Sequence, residues 1–383
     1  MVRFSTRSTL EFSPNRLTLA LAEARARGVV PLDLTLANPT LAGIPYAGVA
    51  EALASEAAVL RYEPEPFGLP SARAAVSALF RERGLDVPPD QVALTCSTSE
   101  AYAMCFKLLC DPGDEVLVPA PSYPLLEHLG ALEHVRLVPY RLGFDGAWFI
   151  DLHAVERAVT PRTRAIAVVS PNNPTGSYLK RAELSGLLEL GLPLLSDEVF
   201  AEYPLVEDPR RARSVLEATG GLVIALDGLS KLAALPQLKL AWMGVGGSAE
   251  LAREALARLE LILDTFLSPN TPVQRALPAL LASRGVAVEA IRGRLRANLG
   301  RLETLTRGTA LTPLHTEGGW YAVVRLPATA TDEEWALAAL EAGVSVQPGY
   351  FFDFGDTPHA VLSLLTPEAT FAEGVARLVS VAG

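Results

Sequence analysis

From Gln91 to Gly246 the chain alternates short apolar, strand-like runs with stretches of helical pattern. The runs are QVALTC, DEVLVPA, VRLVPY, AIAVVS, PLLSDEV, GLVIAL and LKLAWMGVG, and helices are predicted at 99–110, 151–159 and 180–190. Strands joined in parallel need a crossover, and the crossover helices cover the sheet they leave and rejoin. The alternation therefore predicts an α/β fold, a mostly parallel sheet flanked by helices on both faces. At 383 residues the chain is too long for one simple core, and two domains are expected.

The rest of the chain has a different rhythm. A helix at 249–266 runs into LSPNTP, a loop by its proline and asparagine content. Helices follow at 272–283 and 285–307, then a strand WYAVVRL, a helix at 331–342, strands VSVQPG and AVLSLL, and a terminal helix. This reads as a smaller α+β domain. Before the alternation come a helix at 14–28, the strand-like PLDLTLANPT, and helices at 47–60 and 70–83 around the loop RYEPEPFGLP. The expected division is an arm, 1–45, packed with the small domain, a large domain, 46–270, and the small domain, 271–383.

Charge and composition exclude several roles. A net charge of −10 argues against nucleic-acid binding, which needs a clustered positive face. No apolar run is long enough to span a bilayer. The start MVRFSTRSTLEF lacks the apolar stretch of an export signal, so a cytoplasmic protein is expected. Cys96, Cys105 and Cys110 have neither metal-ligand spacing nor a histidine nearby, and read as small buried hydrophobes rather than as a metal site.

Lysine is scarce: Lys107, Lys180, Lys231 and Lys239 are four of the 33 basic residues. Arginine stays protonated, whereas a desolvated lysine amine can lose its proton and attack a carbonyl. Lys231 leaves the C-terminal end of GLVIAL in the segment DGLSK, the end of a strand where α/β proteins hold ligands. Four further segments accompany it. TCSTSEA opens a helix after a strand, so its free backbone N–H groups can bind a phosphate through the helix N-terminus, or the segment merely caps the helix. PAPSYP places Tyr123 beyond DEVLVPA, to stack on a flat ring or simply to pack. SPNNPTG is a rigid turn that aims the Asn173 amide away from its strand, or a plain turn. PLLSDEVF puts Asp197 and Glu198 at a buried strand end, where a carboxylate needs a partner. Phosphate anchor, aromatic lid, amide donor, carboxylate and amine are together what pyridoxal phosphate requires.

GLSKLAALPQLKLA (228–241), SPNNPTG and SDEVF, in that spacing, resemble the fold-type I, pyridoxal-phosphate-dependent aminotransferases of class I/II, along essentially the whole chain. The resemblance implies that Lys231 forms the Schiff base and moves the proton. It implies that Asp197 pairs with the pyridinium, Asn173 bonds the ring hydroxyl and Tyr123 stacks on the ring. Thr98, Ser99, Ser230 and Lys239 would hold the phosphate, and Tyr62, in RYEPEPFG, would reach the neighbouring subunit's phosphate in a homodimer with shared sites. The substrates implied are an amino donor and a 2-oxo acid acceptor.

The chain also departs from that family's pattern. Lys239 stands for a phosphate-binding arginine, Phe200 for a tyrosine, Gly228 for a serine, Ser97 for a glycine and Asn38 for a glycine. In HAVLSLL, Val361 occupies the place of the arginine that clamps a substrate carboxylate. Asn38 and Arg325 are the candidates to replace it. A lyase or decarboxylase on the same fold is the alternative reading. A non-enzymatic, effector-sensing domain is disfavoured, because the chain is acidic and carries no helix-turn-helix unit.

Overall fold

The computed structural model describes residues 14–54 and 63–383, together with Ser5 and Arg7. Its centre is an eight-stranded sheet. In spatial order the strands are Val92–Thr95, Ala241–Gly247, Leu222–Gly228, Leu194–Asp197, Thr163–Val169, Glu115–Ala120, Arg136–Phe144 and Trp148–Ile150. The five from Leu222–Gly228 to Arg136–Phe144 are mutually parallel. Ala241–Gly247 runs against both neighbours, which returns Val92–Thr95 to the common direction, and the edge strand Trp148–Ile150 is antiparallel. The mostly parallel sheet expected from the alternation is present.

Period-two alternation sorts the buried side chains between two faces. Ile224 and Leu226 join Phe106, Leu259 and Leu263 under helices Thr98–Leu109 and Ala249–Phe266. Val223 and Ala225 point the other way, to Val155, Leu184 and Leu187 under Leu152–Ala158 and Arg181–Glu189. Every residue of Leu222–Gly228 and of Glu115–Ala120 is buried, as expected of strands covered on both faces. Cys105 lies in this core, whereas Cys96 and Cys110 are only half-buried. Desolvation pushes the Cys105 and Cys110 thiols up to about 12, which keeps them protonated and unreactive.

A second sheet is antiparallel throughout, in the order Thr312–Pro313, Tyr321–Arg325, His359–Ser363, Gln347–Pro348. Helices Gly285–Thr306 and Glu368–Ala382 cover it through Ile291, Leu295 and Phe371, which pack with Val323 and Leu362. The N-terminal segment joins this unit. Leu32–Asp33 pairs in parallel with Val344–Ser345, and Ser363 N–H donates to Leu34 O. Helix Thr271–Ser283, on the C-terminal side of a division near 270, packs instead with Pro70–Glu82: its Ala276, Leu277 and Leu280 meet Val76 and Leu79.

Other differences from the sequence reading have local causes. PLDLTLANPT supplies only two strand residues, because Asn38 caps a short 3-10 turn, Pro39–Leu41. Helix Leu125–Leu132 and strand Trp148–Ile150 are additional, the helix hidden in sequence by the prolines just before it and by Gly130. VSVQPG is split into two short pieces around Val346. Of the helix expected at 47–60, Val49–Ala54 is observed, and the rest lies outside the described residues.

A buried ion network joins the two units behind the site. Arg83 donates to Asp227 Oδ2 at 2.9 Å and to Glu202 Oε1 at 3.0 Å, while Arg292, on Gly285–Thr306, binds the other oxygen of Glu202 at 3.2 Å. Asp227 lies four residues before Lys231, so the pair fixes the strand end that carries the lysine. Desolvation lifts Asp227 to about 6, against the opposing pull of Arg83. Arg83→Met leaves a buried carboxylate unpaired and is expected to cost about 3–5 kcal/mol in urea unfolding at pH 8. Because the folded form of Asp227 then holds its proton more tightly than the unfolded form, the loss should shrink towards pH 5. An equal loss at both pH values would contradict a charged, buried Asp227.

Candidate active site

The strands of the large sheet that share the common direction end at one edge, and five of the six, all but Arg136–Phe144, deliver a side chain there. Val92–Thr95 leads into Ser97, Thr98 and Ser99; Glu115–Ala120 into Tyr123; Thr163–Val169 into Asn173. Asp197 is the last residue of its strand, and Lys231 follows Leu222–Gly228 on the single turn Leu229–Leu232. Lys239 reaches the same edge from the other direction, because it precedes the reversed strand Ala241–Gly247. Ser97, Thr98, Ser99, Tyr123, Asn173, Asp197, Phe200, Gly228, Ser230, Lys231 and Lys239 all face one cavity of about 380 Å³. The ligand position at strand ends of an open α/β sheet is thus filled by the residues that the sequence singled out.

The phosphate-sized corner is built from a helix start. Ser97 caps Thr98–Leu109, its Oγ accepting from Glu100 N–H at 3.0 Å. The N–H groups of Thr98 and Ser99 belong to the first turn, where no carbonyl one turn earlier can accept them. Ser230 and Lys239 line the same cavity. Lys239 has φ +52°, the left-handed region that a lysine enters at a cost of about 1 kcal/mol. Gly228 is required by the neighbouring strand, since a Cβ there would lie 2.7 Å from Ala241 Cβ.

Aromatic rings border the reactive centre. Lys231 Nζ sits 5.4 Å from the Trp320 ring centroid and 5.9 Å from that of Phe200, and its carbonyl accepts from Tyr203 O–H at 2.6 Å. Desolvation lowers the Lys231 pKa; Asp197 opposes the shift and Lys239 adds to it. Asp197 Oδ1 accepts from Val199 N–H at 3.2 Å, and no ion pair joins Asp197 to Lys231. Desolvation therefore raises Asp197 to about 7. Its neighbour Glu198 faces away, accepting from Ser214 Oγ and Val215 N–H at 3.0 Å each, and serves the fold. Asn173 is buried, with its Oδ1 unpartnered. Tyr123 is 46% exposed at the cavity's mouth.

Not every expected residue arrives. Asn38 is exposed, and its Oδ1 is occupied by Thr40, at 3.0 Å to the N–H and 2.7 Å to the hydroxyl; Ala37, one residue back, faces the cavity instead. Arg325 is exposed at the far end of its strand and does not face the cavity. Val361 is fully buried under the small sheet. Tyr62 lies outside the described residues. Conversely, Tyr321, Gln347, Phe351 and Phe352 form a wall that the sequence reading did not assign. The visible signal was Gln347, a lone amide in the apolar run VSVQPGYFF.

Residues 36–377 match the family described as aminotransferase class I and II. The chain belongs to this family. Its members depend on pyridoxal phosphate, and the resemblance carried by GLSKLAALPQLKLA is confirmed. Among relatives, the probable aspartate/prephenate aminotransferase of Thermus aquaticus is 30% identical over 93% of this chain and 92% of that protein. The glutamate-pyruvate aminotransferase AlaA of Escherichia coli K12 is 32% identical over 56% of this chain, and the match spans only about half of that relative, 54%. Among solved structures, an alanine aminotransferase from Pyrococcus furiosus superposes with TM-score 0.89 at 26% identity, over 99% of both chains. A Thermus thermophilus aspartate aminotransferase mutant gives 0.86 at 27% identity, over 100% of both.

A buried carboxylate with a pKa near 7 has a pH signature. Its folded value lies above the unfolded one, about 3.8, so stability falls as pH rises through that window and is flat above it. Asp197→Asn should therefore make the cofactor-free protein more resistant to urea at pH 8, with a smaller gain at pH 5 and little difference below about pH 4. A variant that gained nothing at pH 8 would show that Asp197 is not ionised there at a cost.

Proposed function

We propose that the protein is a pyridoxal-phosphate-dependent aminotransferase that moves an amino group between an amino acid or related amine and a 2-oxo acid. The observation that carries this reading is the convergence of Lys231, Asp197, Asn173, Tyr123 and the Thr98–Ser99 helix start on one cavity at the sheet edge. The residues fit the cofactor group by group. Asp197 has no cationic partner among the described residues, Asn173 places a buried amide on the cavity, and two N–H groups at a helix start suit a phosphate. The relatives and structures named above are all aminotransferases, and none favours a lyase or decarboxylase.

When bound, the cofactor supplies an aldehyde that condenses with amines and a ring that accepts electrons. Lys231 Nζ would hold it covalently; depressed by burial, the same amine can take a proton from the substrate carbon and return it. Asp197 would keep a proton on the ring nitrogen, and Asn173 Nδ2 would donate to the ring oxygen. Phe200 offers no second donor there. Tyr123 would cover the ring's outer face, while Thr98 N–H, Ser99 N–H, Ser230 Oγ and Lys239 Nζ hold the phosphate. Lysine supplies charge without the two-pronged geometry of arginine.

The same proposal includes a homodimer and an intracellular location. The dimer rests on the segment RYEPEPFG with Tyr62, and on Leu261, Phe266 and Leu267, which stay 73%, 51% and 63% exposed around the end of Ala249–Phe266. An active monomer by sedimentation would contradict it. The location is supported by three unpaired cysteines. No helix among the described residues is long and apolar enough to cross a membrane.

The test is a half-reaction. Cofactor-loaded protein mixed with a panel of amines and amino acids should lose its visible band and release a carbonyl product, and adding a 2-oxo acid should restore the band. Lys231→Ala should still bind the cofactor and should slow this step by several orders of magnitude. Release of carbon dioxide or ammonia in place of the carbonyl product would overturn the reading.

A further inference from the structure

The cavity has two unlike sides. The large sheet contributes Lys231, Lys239 and Asp197, and among the described residues these two lysines are its only cationic lining groups. The small sheet contributes Tyr321 and Gln347, and the 3-10 turn Gly349–Phe352 after it contributes Phe351 and Phe352, with no charge among them. The guanidinium nearest in sequence, Arg325, is exposed to solvent and does not face the cavity.

Gln347 stands out on that uncharged wall. It lies opposite Val361 in the antiparallel pair Gln347–Pro348 with His359–Ser363, and residues directly opposite share a face. Val361 is fully buried and does not reach the cavity, whereas Gln347 and Tyr321 of the same face do. Its Oε1 is shut off from solvent, yet no protein group donates to it. Buried side-chain amides are nearly always hydrogen-bonded, and an unpartnered amide oxygen on a residue that lines a ligand cavity points to a partner that arrives with the ligand.

We propose that Gln347 is the specificity-determining residue on the small-sheet side, and that its amide reads an uncharged hydrogen-bonding group of the amino donor. The donor then carries a hydroxyl or carboxamide beside its amine, where an amino acid would carry a carboxylate. This rests on the aminotransferase reading and deepens it. Among the described residues no cation stands on this wall to meet a carboxylate placed against Gln347, whereas a hydroxyl or carboxamide can donate to Oε1 and accept from Nε2. The aromatic wall of Tyr321, Phe351 and Phe352 keeps water from substituting for that contact.

The probes are L-alaninol, L-alaninamide and L-alanine, which differ only in the group attached to the amine-bearing carbon. Half-reaction rates with cofactor-loaded protein, and calorimetric dissociation constants with the cofactor-loaded, turnover-blocked Lys231→Ala variant, are measured for each. The neutral pair should bind at least tenfold more tightly than alanine. Gln347→Met should weaken their binding about tenfold while changing the maximal rate much less, and Gln347→Arg should invert the preference towards alanine. Gln347→Asn, which keeps an amide, covers the case in which the larger changes fail to fold. Tighter binding of alanine to the unmutated site, no binding of the neutral pair, or Gln347 variants without effect on selectivity would overturn the inference. Loss of the function reading is separable, since it appears as conversion to products other than a carbonyl compound, whichever probe binds better.

Discussion

Lys231 and Asp197 stand half-buried across one cavity without forming an ion pair, and the rest of the site depends on that arrangement. Paired directly, they would neutralise each other and leave a protonated lysine. Held apart, each is pushed towards its neutral form: the amine towards free base, the carboxyl to about 7. A charge kept unpaired in a half-buried place is tolerated only where the scaffold is rigid. Here the scaffold is a run of five consecutive parallel strands, the inner ones buried between two helical layers, with the reversed strand Ala241–Gly247 locking the lysine's strand from its other side.

The network behind the site extends that rigidity across both units. Arg83, Asp227, Glu202 and Arg292 tie the strand that carries Lys231 to helix Gly285–Thr306. Tyr203 fixes the lysine's backbone carbonyl, and its ring packs edge-on against Trp320, one of the two rings beside Nζ. Small-sheet residues thus border the lysine, although the lysine belongs to the large sheet. That coupling explains why the cavity wall opposite the chemistry is a natural place for substrate selection.

Much of this was legible in the sequence because it rests on one-dimensional signals. Apolar runs without polar alternation mark strands buried on both faces, and residues just past such runs must lie at the sheet edge; Tyr123, Asn173, Asp197 and Lys231 were found that way. Lys239 required the family resemblance, since nothing local says that its strand runs in reverse. The small-sheet wall was not legible: Tyr321, Phe351 and Phe352 look like ordinary core residues until register places them beside a distant lysine. Asn38 and Arg325 went astray for related reasons. The side chain of Asn38 is consumed by its own turn, and Arg325 sits at the exposed end of a strand whose first residue, Tyr321, is the one that faces the cavity.

The central claim is that Lys231 is the residue that carries the cofactor, and one measurement addresses it directly. The protein loaded with pyridoxal phosphate is reduced with borohydride, digested, and the labelled peptide identified by mass. The account predicts a pyridoxyl group on Lys231, in the peptide containing DGLSK. Label on Lys107, Lys180 or Lys239 with none on Lys231 would contradict it.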